Sequence, residues 1–76
     1  MSNVETDGTD LNKSGYYRVN KSNLILAGAR PGDILVHLKW DNDAAVQIVC
    51  LSHNNSIYKR HKYVNVWSDW VRLDNV

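Results

Sequence analysis

The chain has 76 residues, 43% of them apolar, and nine basic against eight acidic side chains leave a net charge of +1. That length allows one domain, near the size at which a single core only just suffices. The apolar content excludes a chain too polar to collapse, and the balanced charge excludes the dense basic face of a general nucleic-acid binder.

Residues 1–13 are polar, with Val4 and Leu11 as the apolar members after Met1, and are expected to form a flexible leader or linker ahead of a β domain over 14–76. The start "MSNVETDGTD" lacks the basic-then-apolar order of a signal peptide, and no apolar run approaches a membrane span. Neither signal-peptide secretion nor membrane insertion is expected. From Gly15 onward, runs rich in Val, Ile, Leu, Tyr and Trp alternate with Asn, Asp, Gly and Ser clusters, which is the pattern of short strands and turns.

"GYYRVN" is the first strand and "NLIL" a short second one, ended by "AGARPGD", in which Pro31 and two glycines break regular structure. "DILVHLKW" alternates, with Ile34, Val36, Leu38 and Trp40 on one face and Leu35, His37 and Lys39 on the other. "DND", Asp41 to Asp43, is a turn. "AAVQIVCLS" places Val46, Ile48 and Cys50 on one face and Ala45, Gln47, Val49 and Leu51 on the other, and its lack of charge predicts a central strand. His53 to Asn55 form another turn, and "SIYKRHKY" and "VWSDWVRL" complete the set. No segment shows helical spacing, so the fold class is all-β: a small antiparallel sheet meander of about five short strands.

Few residues suggest chemistry. Cys50, the single cysteine, sits in an apolar run where a buried, unreactive thiol is expected, and an internal disulfide is excluded. His37, His53 and His61 have no zinc spacing, and the "DND" turn lacks the rest of a calcium loop, so no metal and no cofactor is expected. Asp33, Asp69 and Asp74 offer carboxylates, but nothing pairs them as acid and base, and no phosphate loop or nucleophile elbow is present. The expectation is a protein that is not an enzyme.

The aromatic and basic residues near the C-terminus carry more. Trp67 and Trp70 are three apart, so strict alternation sends them to opposite faces. In phase with Val71 and Leu73 only through Trp67, the strand is expected to turn Trp67 into the core and Trp70, with Arg72, outward, unless a bulge intervenes. An outward Trp70 would serve a neighbouring subunit or stack on a sugar. Tyr58 and Arg60 share a face, either as cross-strand packing or as a clamp for a saccharide acid or phosphate. Trp70, Arg72, Tyr58 and Arg60 are therefore the candidate ligand-binding residues.

Several of these residues also form a pattern. Asp10, Leu11 and Asn12, then Gly15 with Tyr17, then Tyr58 with Arg60, and last Trp67, Ser68 and Trp70 follow an order that resembles the pyocin knob domains of bacteriophage and R-type pyocin tail fibres. The likeness runs over roughly residues 10–73; "KYVNV" and "NLIL" depart from the family's usual connections. The resemblance implies a knob-like β module of a homotrimeric tail fibre on the virion, acting in fibre architecture and host-surface attachment. Its implied partner is a bacterial surface polysaccharide or lipopolysaccharide. The alternative is a small β module that docks another protein through an exposed edge strand. A single-strand nucleic-acid role rests only on "YKRHKY" beside tryptophans and is the weakest; no nucleic-acid partner is expected.

Overall fold

The computed structural model describes residues 2–26, 28–53 and 55–73. Among these, the β-branched and aromatic runs pair into one sheet of seven strands: β1 (Ser2–Val4), β2 (Gly15–Val19), β3 (Ile34–Asp41), β4 (Ala44–Leu51), β5 (Ser56–Tyr63), β6 (Val66–Trp67) and β7 (Val71–Arg72). The fold is all-β, as the alternation predicts. From β2 to β6 each strand lies antiparallel to the next, and β7 pairs with β5 further along the same edge. The uncharged β4 lies in the middle, between β3 and β5.

Two segments differ from expectation. The leader supplies β1, which runs parallel to β2 with Val4 opposite Val19, and both side chains are buried in the core. "NLIL" is no strand. Asn23 takes φ 61°, its amide nitrogen donates to the Ala29 carbonyl, and its side-chain oxygen accepts from the Gly28 N–H, which closes a compact loop. Ile25 and Ala29 of that loop are buried in the core and Leu26 packs against it, instead of joining a ladder.

Among the described residues, the covering segments lie on one side of the sheet. The connection from β1 to β2 crosses the sheet near Leu35 and Arg60, since a Cβ on Gly8 would lie 3.3 to 3.4 Å from their side chains and from Ile25. The loop between β2 and β3 supplies Ile25 and Ala29. Together they cover Val4, Val19, Leu35, Val49 and Leu51, with Leu11, Tyr17, Leu26, Tyr58 and Trp70 packed around them. Asp33 anchors the second loop: its buried carboxylate accepts from the Arg30 N–H at 2.9 Å and from the Ser52 hydroxyl at 2.9 Å. The Ser52 N–H donates to it as well, at 3.2 Å.

The opposite face has no covering segment among the described residues. It carries Tyr16 and Arg18 of β2, Ile34, Val36 and Leu38 of β3, Val46, Ile48 and Cys50 of β4, and Ile57, Lys59 and His61 of β5. Cys50 is exposed, against the expectation of a buried thiol, because it shares this side of β4 with Val46 and Ile48.

Candidate functional site

The last strand pair sets the site. Lys62 faces Trp67 and Lys59 faces Val71, so two residues of β5, Arg60 and His61, stand against three, Ser68, Asp69 and Trp70. This is a β-bulge, one residue longer on the outer strand. Ser68 holds it: its N–H donates to the His61 carbonyl at 2.8 Å, while its hydroxyl accepts the His61 N–H at 3.0 Å in place of a backbone carbonyl. The surplus residue is Asp69, and Trp70 falls level with Arg60.

The bulge overturns the expectation for the tryptophans. Trp70 does not point outward; it packs against the core, and its indole N–H donates to the Ile25 carbonyl at 3.1 Å. Trp67 shares that side, being opposite Lys62, and is half-buried. Val71 and Leu73, expected to mark the core side, are exposed. With one extra residue between them, tryptophans three apart share a face.

Between the two indoles lies Arg60. Its guanidinium carbon is 4.8 Å from the ring centroid of Trp67 and 4.4 Å from that of Trp70, and Lys62 Nζ approaches Trp67 at 5.7 Å. Cation–π contact strengthens when both partners leave water, and Arg60 is 7% exposed. Its Nε donates to Gln47 Oε1 at 2.8 Å and a terminal nitrogen donates to the Asp7 carbonyl at 2.6 Å. Burial lowers the Arg60 pKa from its ordinary value and the Asp7 charge opposes this; the group stays a cation.

The chain of polar contacts runs on. Gln47, fully buried, is fixed in orientation by Arg60, so its Nε2 supplies two donors: one to the Gly8 carbonyl at 2.7 Å, the other to His37 Nδ1 at 3.0 Å. His37 Nδ1 must then accept, which puts the imidazole proton on Nε2. That atom is buried with no hydrogen-bond partner among the described residues. Burial first, then the charges of Lys62, Lys39 and Arg60, hold His37 below the ordinary histidine pKa. The ring packs edge-on to Tyr17 at 6.5 Å between centroids.

The four candidate ligand residues do meet. Tyr58 and Arg72 are opposite each other in the β5–β7 pair, and Arg60 stacks on Trp70. Arg60 is not an open clamp, however, since Gln47, Asp7 and two indoles occupy its guanidinium. No cavity opens among the described residues, so a ligand here would lie on the surface beside Arg72 and the indole rims. Gln47, His37 and the crossover backbone at Asp7 and Gly8 escape sequence reading, because the row His37, Gln47, Arg60 is set by strand register and the crossover meets it through carbonyls that no side-chain pattern marks. Of the expected carboxylates, Asp33 is bound to Ser52 and Arg30, Asp69 sits in the bulge, and Asp74 lies outside the described residues.

Comparison with protein-family models, with curated proteins and with solved structures yields no match to this chain.

Proposed function

We propose that the chain is a non-enzymatic module of a phage or tailocin tail fibre, homotrimeric in the full fibre, that shapes the fibre and contacts a bacterial surface polysaccharide or lipopolysaccharide. One observation carries the reading beyond the sequence pattern: residues that make up the resemblance are joined in one physical unit. Trp67 and Trp70 enclose Arg60, Ser68 locks the bulge that aligns them, and the Asn12 carbonyl and Asp10 carboxylate tie down the two ends of the crossover that reaches Arg60. A motif whose members depend on one another reads as a folding unit. Sugar contact, on this reading, falls to the indole rims with Arg72 and Tyr58, by stacking and by hydrogen bonds from the arginine.

The test is binding of the chain to whole bacterial cells and to a glycan array, alongside Arg72→Ala. Binding that the variant weakens at least about tenfold supports attachment, the loss expected of a charged hydrogen bond. No binding by chain or assembled fibre removes the glycan role. A second reading, a β assembly module without glycan contact, is favoured by the uncovered apolar face of the sheet.

A further inference from the structure

In a sheet with one wet face, side chains alternate apolar inward and polar outward. Here both faces are apolar. The covered face buries Val19, Leu35, Val49 and Leu51 beside the polar His37, Gln47 and Arg60, and the centre of the open face is aliphatic too: Ile34 lies beside Cys50 and Cys50 beside Ile57, Val36 beside Ile48, Leu38 beside Val46. Leu38 is 46% exposed and Ile57 37%. Arg18 of β2 and Lys59 with His61 of β5 interrupt this surface, and exposed Tyr16 on one side and Val71 and Leu73 on the other extend it. A contiguous exposed apolar surface of this kind marks an interaction site.

We infer that this face is closed by the same face of another copy of this chain. Size supports it first. The two long dimensions, 32 and 30 Å, give the face a plan area of roughly 900 Å², close to the about 800 Å² each partner contributes to a standard interface. Thickness supports it next, because the third dimension is 16 Å, room for one sheet and the loops on its covered side. Stable domains stack two layers, and sheets stack face to face about 10 Å apart, so another copy supplies the layer that is missing. The side chains fit as well: β-branched residues lie low on the pleat and interdigitate with their like. The inference stands on the face alone and holds or fails apart from any glycan binding.

The test is sedimentation and light scattering of the full chain from micromolar to millimolar concentration, with Leu38→Asp and Ile57→Asp. Both positions are exposed, so circular dichroism should show the variants folded. A dimer is expected, since a face that meets its own copy pairs two chains, with each variant raising the dissociation constant by about 100-fold, the effect of truncating or charging an interface centre. Cys50 reports the same event, since its labelling by a maleimide should slow as the chain associates and recover in Leu38→Asp. A chain monomeric at millimolar concentration overturns the inference, as does an oligomer that both variants leave intact. Flotation of a monomeric chain with phosphatidylserine vesicles, abolished by Leu38→Asp, overturns it in favour of a bilayer. Loss of host-cell binding with association retained fails the fibre reading alone.

Discussion

Trp70→Ala removes three things at once: a ring over Arg60, the donor to the Ile25 carbonyl and a contact with the core. The expected loss is about 3 kcal/mol, the lower end of the range for emptying a large aromatic site. Trp67→Ala takes away one ring over Arg60 and leaves the core packing, so about 1 to 2 kcal/mol is expected. Urea unfolding of the two variants checks the order, which strict strand alternation would reverse. His37 gives a pH dependence. Its imidazole is depressed in the folded state, so below the ordinary value of 6.5 the unfolded chain binds the proton first and stability falls with pH until the folded pKa is reached. Protonation also turns Nδ1 from acceptor to donor against Gln47 Nε2. Melting curves between pH 7 and pH 5 should fall along a limiting slope of about 1.4 kcal/mol per pH unit in the wild type. In His37→Gln, whose amide oxygen can still accept from Gln47, they should fall less.

At the scale of the element, the turn joining β5 and β6 is the strained one. Tyr63 pairs with Val66, and the two residues between, Val64 and Asn65, have φ of 50° and 64°. Positive φ at both positions is the backbone of a type I′ turn, which asparagine and glycine tolerate and a β-branched side chain does not. Val64→Asn should therefore stabilise the protein by about 1 kcal/mol, read as a higher urea midpoint with unchanged slope. Strand positions were legible in the sequence for a simple reason: β2 to β5 alternate cleanly and are bounded by turn residues. Which face would be covered was not. Ile34, Val36 and Leu38 are more apolar than Leu35, His37 and Lys39, yet the second set is the covered one, because the crossover brings the Gly8 and Asp7 carbonyls to meet Gln47 and Arg60. The bulge was equally hidden, as "WSDW" contains no glycine to announce it and Ser68 acts through its hydroxyl.

For the molecule as a whole, the first thirteen residues close the core instead of leading up to it. Val4 is part of the core, and the crossover covers Leu35 and accepts hydrogen bonds from Gln47 and Arg60. Deleting residues 1–13 strands a buried guanidinium and opens the apolar cluster; the shortened chain should be unfolded at room temperature by circular dichroism. The bulge has an effect of another kind, on what lengths the chain tolerates. Removing Asp69 would leave Ser68 against His61 and Trp70 against Arg60 in unbroken register, with both indoles still around the guanidinium. Trp-x-Trp and Trp-x-x-Trp are thus alternative spellings of one clamp. Between two chains built this way, a gap at this point in an alignment would mark a change of length without a change of structure.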